Sequence, residues 1–405
     1  IMMSCRSFTL TTFTLVVIIQ SICGFVSPNN RNNHNSLLKK LKATNVEGGD
    51  LIVGESCTGE RIAVVGATGY IGKAVVRESV RRGYSTTAVM RDISKGKNDE
   101  KLKDASLQQL DVTDRDATEK KLFEKGSVDV VVCCLASRTG TKKDSYGIDY
   151  QASLNCAEAA KAAGARRFIL LSAYCVLSAE RKDPYALQFQ YAKLKLENKL
   201  KELTSDGNNF DFVSVRPTAF FKSVSGQLEV VDSGAPFVYF DLDGKGKCAT
   251  CNPISEPDLA AALIDQVADD THKNGAWNLG GPDDGLSMKQ QGAMIHDILG
   301  KDGEPKLFGV PIGIFDVIIN GLQWAADTFS SEKLDDAAEL GRIGRYYAIE
   351  DMLTTDSAEK YGRTTLREHY EYIVKNGQEY DPYTTVFGNA NAKEKFKTER
   401  EEETQ

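Results

Sequence analysis

Short apolar runs alternate with amphipathic stretches along the first two thirds of the chain, which predicts strands separated by helices. The run RIAVV at Arg61–Val65 is typical of a buried parallel strand, and the residues after it place Ala74, Val75 and Val80 on one helical face. Gly83 is expected to end this helix. Further runs predict strands at Thr86–Met90, Leu107–Leu110, Val128–Val132, Phe168–Leu171 and Phe212–Val215, with an alanine-rich helix at Ile148–Gly164.

A glycine-rich segment, GATGYIG, lies between the first predicted strand and the first predicted helix. Glycines at such a turn let backbone N–H groups approach a pyrophosphate at the helix N-terminus. The alternative is a glycine turn in a flavodoxin-like fold. The GxxGxxG spacing resembles the extended and atypical short-chain dehydrogenase/reductase families. We therefore predict a dinucleotide site built from Gly66, Thr68, Gly69, Tyr70, Ile71 and Gly72.

The whole pattern predicts an α/β fold with a doubly wound parallel Rossmann sheet. We expect this NAD(P)-binding domain at residues 59–285 and a smaller, mostly helical substrate-binding region at residues 286–388. Residues 389–405 are highly charged and poor in apolar side chains, so we expect a disordered tail there.

The first 58 residues have the pattern of a targeting sequence. The apolar stretch Phe13–Ile19 follows Arg6 and precedes small residues, which predicts a secretory signal peptide at residues 1–24. Residues 25–58 begin with a basic segment that has no acidic side chain before Ala43 and resembles a plastid transit peptide. The two together resemble the bipartite presequence of algae with secondary plastids, so we expect a plastid (chloroplast) protein. A plain signal peptide on a secreted protein is the alternative.

Composition narrows the function classes. The 405 residues are 41% hydrophobic and 26% charged, which excludes a disordered chain and a polytopic membrane protein. The net charge of -7 argues against a nucleic-acid partner. Cys248 and Cys251 form a lone CxxC, and zinc needs four ligands, so we predict no metal site. The two cysteines are either buried small residues or a redox-sensitive pair.

The end of the second strand bears on the choice of cofactor. An acidic residue there accepts a hydrogen bond from the ribose 2′-hydroxyl of NAD, whereas an arginine pairs with the 2′-phosphate of NADP. Arg91 precedes Asp92, and Lys95 and Lys97 follow closely, which favours NADPH. A solvated loop charge is the alternative for Arg91.

Resemblance to the reductase superfamily implies further cofactor contacts where other strands end. Asp111 and Val112 are expected beside the adenine, and Leu135 and Ala136 lie in a loop that is expected to cross the cofactor. Two further strand ends, at Ser172 and at Arg216 with Pro217, are expected to approach the nicotinamide and the substrate cleft.

Tyr191 and Lys195 have the YxxxK spacing of the same superfamily. Residues four apart share a helical face. A lysine there can hold the nicotinamide ribose and lower the pKa of the tyrosine, so that the phenol exchanges a proton with substrate. We take Lys195 and Tyr191 as the catalytic candidates, with Lys195 also contacting the cofactor. An amphipathic surface helix with lysines in water is the alternative.

Six stretches together resemble the NADPH-dependent divinyl chlorophyllide 8-vinyl reductases, and the resemblance extends roughly from Arg61 to Asn376. The glycine motif is widely shared, whereas RPTAFFKS and GRIGRYYA are much narrower. Plant members depart from tyrosine at the position of Tyr191, which weakens its catalytic assignment, and carry lysine at that of Lys195. The stretches are Val64–Glu78, Val132–Tyr150, Gln190–Glu197, Val215–Glu229, Lys247–Ala260 and Lys333–Leu353.

The resemblance implies that a divinyl chlorophyll precursor is reduced at its 8-vinyl group with NADPH as hydride donor. We expect the apolar C-terminal stretches Leu307–Phe315 and Val317–Phe329, including Phe308, Phe315 and Trp324, to contact the flat ring. Phe220 and Phe221 are further candidates for substrate binding. Ordinary helical core is the alternative for each. The sequence leaves open a peripheral contact with thylakoid or envelope membranes, the proton donor and the oligomeric state.

Two other functions fit the same fold. One is an atypical reductase acting on a small aromatic compound, and the other is a non-enzymatic NADP sensor or assembly factor. The narrow family segments and the predicted plastid address favour the pigment reductase over both.

Overall fold

The computed structural model describes residues 59–205 and 209–377, so the predicted signal peptide, transit peptide and C-terminal tail lie outside the described residues. This part of the chain has a central sheet of seven parallel strands and two small two-stranded sheets. The strands are β1 (Arg61–Val65), β2 (Ser85–Met90), β3 (Ser106–Gln109), β4 (Val130–Cys133), β5 (Arg167–Leu171), β6 (Asp211–Pro217), β7 (Phe237–Asp241), β8 (Thr250–Cys251), β9 (Gly275–Leu279), β10 (Leu286–Ser287) and β11 (Leu307–Pro311).

The order of the large sheet is β3-β2-β1-β4-β5-β6-β9, and every neighbouring pair is parallel. Progression across the sheet reverses between β1 and β4, which opens a crevice at the carboxyl ends of these strands. The doubly wound fold predicted from the alternating pattern is therefore confirmed. Six of the seven strands overlap predicted runs or motifs, because strands covered on both faces are nearly continuous apolar sequences.

The helices cover both faces of the sheet. Their bounds are α1 (Tyr70–Arg81), α2 (Arg115–Lys121), α3 (Lys142–Asp144), α4 (Ser153–Ala163), α5 (Val176–Glu180), α6 (Gln188–Thr204), α7 (Phe221–Val224), α8 (Leu228–Asp232), α9 (Glu256–Asp265), α10 (Met288–Ile298), α11 (Gly313–Phe329), α12 (Glu332–Ile349) and α13 (Leu366–Asn376). Short 3₁₀ turns lie at Ile93–Lys95, Glu100–Leu102, Ser225–Gln227 and Ser357–Glu359. Apolar residues of α1 and α9 pack on one face of the sheet, and those of α4 and α6 pack on the other.

The helix predicted at residues 148–164 is longer and less regular than the sequence pattern indicates. Residues Ser145–Ala152 are π-helical, and they lead directly into α4. Gly164 ends α4 with a left-handed backbone at φ +87°, which glycine adopts without steric cost. The π-helical turn shifts the register of side chains at the start of this segment, so that Asp149 is buried while Tyr146 and Tyr150 remain partly exposed.

The smaller region contains both two-stranded sheets as well as α10 to α13. β7 pairs with β11 in parallel and β8 pairs with β10 in antiparallel fashion, so strands from before residue 286 belong to this region. One of its cores joins Phe221 and Phe237 to Ile295 and Tyr370. The domain boundary at residue 285 stays a prediction. β7 and β8 precede this position in the chain but pair with β11 and β10, which follow it. No helix among residues 59–205 and 209–377 is long and apolar enough to cross a bilayer.

Candidate cofactor and active site

The glycine-rich turn between β1 and α1 forms the end of the crevice. Gly66 has φ +79°, and a Cβ there would lie 2.9 Å from the Cys134 carbonyl carbon, so the turn meets the loop that follows β4. A Cβ on Gly72 would overlap the Gly66 carbonyl oxygen, which explains why α1 can start so close to β1. Gly69 precedes α1, and no side chain caps the helix there. The free N–H groups of the first turn suit a pyrophosphate.

The other predicted residues of this turn differ in accessibility. Thr68 and Tyr70 are half-buried at the turn, whereas Ile71 is 5% exposed and belongs to the core under the sheet. Ile71 can therefore contact a dinucleotide only through its backbone. The Cβ clashes at Gly66 and Gly72, together with the uncapped helix, show that the turn fits a dinucleotide.

Arg91 and Asp92 follow β2, and only the arginine side chain is available to a ligand. Arg91 is exposed, and among the described residues its guanidinium has no ion-pair partner. The Asp92 carboxylate accepts hydrogen bonds from the Ser94 amide at 3.0 Å and the Ser94 hydroxyl at 2.6 Å. These bonds lower the pKa of Asp92. Because Asp92 is engaged in this local turn, Arg91 is the group of this strand end that suits a 2′-phosphate.

The predicted adenine and loop residues flank the turn. The Asp111 carboxylate accepts from the Thr113 hydroxyl at 2.7 Å, and the buried Val112 accepts from the Asn155 amide at 3.1 Å through its carbonyl oxygen. Leu135 is half-buried and Ala136 exposed, in the loop whose backbone approaches Gly66. These positions border the crevice, and their contacts with a cofactor stay a prediction.

Ser172 and Arg216 are occupied by contacts within the protein. The Ser172 hydroxyl donates to Glu197 at 2.5 Å, and Arg216 forms ion pairs with Glu197 and with Glu180. Burial opposes the charge of Arg216, but the two carboxylates raise its pKa. This cluster ties β5 and β6 to α6. We therefore assign Ser172, Arg216 and the adjoining Pro217 to holding the crevice in shape, which differs from the direct contacts expected from the sequence.

Helix α6 places the YxxxK pair on its outer face. Lys195 is exposed, and its ammonium lies 4.1 Å from the centre of the Tyr150 ring. Tyr191 and Lys195 share a surface groove of about 510 Å³, whose other lining residues are Tyr146, Tyr150, Leu194, Asn198, Lys199 and Glu202. The structure brings Tyr191 and Lys195 together, but it does not bring them to the carboxyl edge of the sheet.

Lys193 lies on the opposite face of the same helix. Its side chain is 6% exposed, and its ammonium forms an ion pair with the buried Asp149 at 2.9 Å. Asp149 also accepts from the Ser137 amide at 3.3 Å, which connects the pair to the loop after β4. Burial disfavours the charge of Lys193, but Asp149 outweighs it and raises the pKa of the lysine. Lys193 is therefore a protonated lysine at the edge of the crevice.

The cysteines around Lys193 are inert thiols. Cys133 and Cys175 are buried close enough to Lys193 to interact with it electrostatically. Burial raises the pKa of Cys175 to about 12, in spite of the nearby lysine. Thiols held in this protonated state are neither nucleophiles nor metal ligands. Their contribution here is packing.

Four residues before Lys193 the helix carries Phe189 instead of a hydroxyl. Phe189 packs against a buried cluster that includes Tyr346 of α12, and Ala173, which follows Ser172 at the end of β5, packs against the same cluster. The wall of the crevice next to Lys193 is therefore apolar. The YxxxK spacing points to Lys195, so sequence reasoning did not single out Lys193. The signal that was present is the buried-helix pattern, in which Lys193 lies between Ala192 and Leu196 on the inner face.

The four phenylalanines predicted to contact substrate divide into two groups. Phe221 is 1% exposed beside His369, and Phe315 is 0% exposed with its ring 5.2 Å from that of Phe240. These two belong to the core and cannot touch a ligand in this arrangement. Phe220 is half-buried where β6 ends, and Phe308 is 56% exposed on β11.

Comparison with known proteins identifies the family of the chain. A family model described as NAD(P)H-binding matches residues 66–270, which include the glycine turn, Arg91 and Lys193. Divinyl chlorophyllide a 8-vinyl-reductase, chloroplastic, of Arabidopsis thaliana is 44% identical over 337 residues, covering 78% of this chain and 77% of the relative. The protein of the same name from Cucumis sativus is 44% identical over 333 residues, covering 78% of this chain and 76% of the relative. The NAD(P)H-binding family model confirms a nicotinamide cofactor, and both relatives are chloroplastic by name, which agrees with the predicted plastid location.

Solved structures support the fold. The Bordetella bronchiseptica enzyme WbmH in complex with NAD+ has a TM-score of 0.52 and 16% identity, covering 79% of this chain and 100% of that chain. A nucleoside-diphosphate-sugar epimerase from Staphylococcus aureus has a TM-score of 0.50 and 17% identity, covering 77% of this chain and 99% of that chain. These likenesses show the Rossmann architecture.

Proposed function

Because the chain belongs to the divinyl chlorophyllide a 8-vinyl-reductase family, we propose that it reduces the 8-vinyl group of a divinyl chlorophyllide or protochlorophyllide to ethyl with NADPH. The observation that carries this proposal is the 42% to 44% identity to four plant relatives of that name over 78% of the chain. The protein is thus an oxidoreductase of chlorophyll biosynthesis in the chloroplast.

The crevice accounts for how the cofactor is held. The turn from Gly66 to Gly72 receives the pyrophosphate, and Arg91 pairs with the 2′-phosphate. Bound NADPH supplies a hydride from its nicotinamide ring to the terminal vinyl carbon. The Lys193 ammonium, positioned by Asp149 at 2.9 Å, donates hydrogen bonds to the nicotinamide ribose. This assignment replaces the ribose contact expected of Lys195.

The apolar wall suits reduction of a carbon–carbon double bond. Phe189 and Ala173 offer no hydroxyl to polarise a carbonyl, and they exclude water beside Lys193. Hydride addition to the vinyl group places negative charge on the conjugated macrocycle, and a proton at the adjacent carbon completes the ethyl group. The reaction therefore needs a proton donor near that carbon.

Tyr174 is the hydroxyl that we assign to this proton transfer. It follows β5, its amide donates to the Pro217 carbonyl at 2.9 Å, and its ring packs against the buried cluster that contains Ala219. Its phenol donates to the Leu353 carbonyl at 3.1 Å, which anchors it at the edge of the crevice. Burial raises the pKa of Tyr174, so the phenol keeps its proton at neutral pH.

A direct assay tests the reaction. The purified chain is incubated with divinyl chlorophyllide and either NADPH or NADH, and the pigments are separated by chromatography. We expect a blue shift of the Soret band to the monovinyl spectrum with NADPH. Tight NADPH binding without conversion of any divinyl pigment would instead indicate an NADP sensor. Turnover of a small aromatic compound alone would indicate the other class of reductase.

The outer surface of the smaller region carries exposed apolar side chains. Five of the seven large hydrophobic side chains exposed in the described part of the chain lie on β11 and α11: Phe308, Ile314, Val317, Trp324 and Phe329. We infer that this surface rests on a membrane of uncharged lipids. α11 contains two acidic residues and no basic one, so anionic headgroups are not attracted to it.

Tryptophan fluorescence tests the membrane contact. The chain has two tryptophans, and Trp277 is 7% exposed while Trp324 is 67% exposed. Vesicles of phosphatidylcholine should shift the emission to the blue through Trp324, without sensitivity to salt. Trp324→Ser with Phe329→Ser should abolish sedimentation with these vesicles. Binding that requires anionic lipid, or a doubling of mass without lipid, would contradict the inference.

A further inference from the structure

Helix α6, which carries Lys193, begins against α12 of the smaller region. Glu339, Ile343 and Tyr346 have the spacing i, i+4 and i+7 on α12, and all three are buried. Ile343 and Tyr346 share a buried cluster with Leu187, the residue that precedes α6. One face of α12 therefore lies along the start of α6.

The first amide of α6 has its acceptor on α12. The Gln188 amide donates to Glu339 Oε1 at 3.0 Å. Leu187, at the N-cap position, has an apolar side chain that cannot accept a hydrogen bond from the first turn. A carboxylate at this place also suits the positive end of the helix dipole. Glu339 thus provides, from another helix, the acceptor that the N-cap residue of α6 lacks.

The carboxylate of Glu339 is also held on its other side. Glu339 is 7% exposed, and its Oε2 accepts from Arg342 Nη1 at 3.0 Å. Arg342 donates in addition to the Gln323 side chain of α11. Because both carboxylate oxygens are engaged, Glu339 ties the start of α6 to α11 and α12 in one geometry.

Lys193 follows Gln188 by five residues on the same helix, which is about one and a half turns. The Lys193 ammonium is paired with Asp149 at 2.9 Å. Two contacts therefore determine where this ammonium lies. Asp149 holds the end of the side chain, and Glu339 holds the turn of backbone that leads to it.

We propose that Glu339 is a positioning residue for the cofactor: it accepts from the Gln188 amide and so holds α6 in the orientation that brings Lys193 to the nicotinamide ribose. This rests on the proposed function, which gives Lys193 that contact. The smaller region then contributes to cofactor binding through Glu339 without touching the cofactor.

A cycle of variants on NADPH affinity tests this role. The dissociation constant is measured on the full chain, without pigment, from the fluorescence of bound NADPH. Glu339→Ala should raise it about tenfold. The second background is Lys193→Met with Asp149→Asn, which removes the ribose contact and leaves no unpaired buried carboxylate. There the same substitution should change the dissociation constant by less than about twofold.

A second variant removes the donor instead of the acceptor. Gln188→Pro deletes the amide N–H, and proline suits the first position of a helix. Leu187 before it has φ -97° and ψ 160°, which proline permits in a preceding residue. Gln188→Pro should weaken NADPH binding as much as Glu339→Ala does, which tests the contact without truncating a buried side chain.

Two further variants separate positioning from folding. Glu339→Gln keeps an oxygen for the Gln188 amide and should recover the affinity to within about threefold of the native chain. Glu332→Ala replaces an exposed glutamate in the first turn of α12 and is the matched control. It should leave the affinity for NADPH unchanged.

Several outcomes would overturn the proposal. Equal weakening by Glu339→Ala in both backgrounds would show that Glu339 acts on folding and not through Lys193. Native affinity in Gln188→Pro, or in the Lys193→Met background, would remove the contact or the group on which the role depends. Since pigment is absent, the cycle gives its answer even for a chain that fails to reduce divinyl chlorophyllide. Failure of the positioning role is thereby distinguished from failure of the reductase activity.

Discussion

Two lysines of α6, Lys193 and Lys195, are separated by one residue and lie in opposite surroundings. Lys193 is buried and paired with Asp149, whereas Lys195 is exposed over the ring of Tyr150. Two residues turn a helix by about 200°, so neighbours at this spacing face opposite sides. The comparison shows that a YxxxK spacing identifies a shared face but does not say which face meets the cofactor.

The physical difference between the two lysines lies in their partners. An exposed ammonium keeps its hydration and gains little from a ring contact. A buried ammonium loses hydration and needs a carboxylate and further hydrogen bonds in a fixed geometry. Only the second setting holds a lysine in one position, which is what orientation of a ribose requires.

The largest effect is expected for Lys193→Met. Two charge-assisted hydrogen bonds to ribose hydroxyls are each worth roughly 1.5–3 kcal/mol, so their loss should lower kcat/KM by about 1,000-fold. Steady-state kinetics with NADPH and divinyl chlorophyllide measure this. Lys193→Met combined with Asp149→Asn removes the orphaned carboxylate and should fold, as checked by circular dichroism. Activity of this double variant within tenfold of the native chain would reject the assignment.

The second-largest effect is expected when the proposed proton donor, Tyr174, loses its hydroxyl group. Tyr174→Phe should lower kcat about 100-fold while leaving the KM values for pigment and NADPH within about twofold, because a general acid acts after binding. Tyr347→Phe, in the same apolar cluster, is the comparison variant. A solvent isotope effect that is the same in the native chain and in Tyr174→Phe would contradict a proton transfer from this phenol.

A smaller effect is expected for Arg91, whose exposed guanidinium is proposed to pair with the 2′-phosphate of NADPH. Arg91→Gln should raise the KM for NADPH about tenfold and leave the KM for NADH nearly unchanged, since only NADPH carries the 2′-phosphate. Initial rates with each nucleotide measure the ratio. If both KM values rise together, Arg91 supports the turn rather than the phosphate.

The smallest effect is expected for Lys195→Met. The lysine lies in the outer groove, so kcat and both KM values should stay within about twofold. Tyr191→Phe should behave alike. A loss of more than 100-fold in either variant would remove the distinction between the two faces of α6 and restore the YxxxK pair as the catalytic one.

Much of the fold was predictable because local patterns and tertiary environment agree there. The run Arg61–Val65 and the glycines at 66, 69 and 72 predict a strand, a turn and a helix, and each is found in place. Predicted and observed strands differ by one or two residues at their ends. The helix at residues 148–164 was predicted less well, since a π-helical turn depends on packing rather than on apolar spacing.

The candidate site was predictable only in part. Gly66, Arg91 and the strand ends follow from sequence context, because a strand-to-helix turn determines where its backbone points. Phe221 and Phe315 illustrate the limit, since an apolar side chain serves a core or a ligand equally well by composition. Ser172 and Arg216 lie at the expected strand ends, but their partner Glu197 was not foreseen.

The sequence by itself determined the family, the fold class and the cofactor class, because these depend on motifs and patterns that are local in the chain. Only the tertiary structure decided which lysine of α6 is buried and which phenylalanines are core. The physical reason is that burial, ion pairing and contact between distant segments depend on how helices rotate against the sheet. Residues that are adjacent in sequence differ by about 100° around a helix, so the apolar pattern alone does not fix the partner of each side chain.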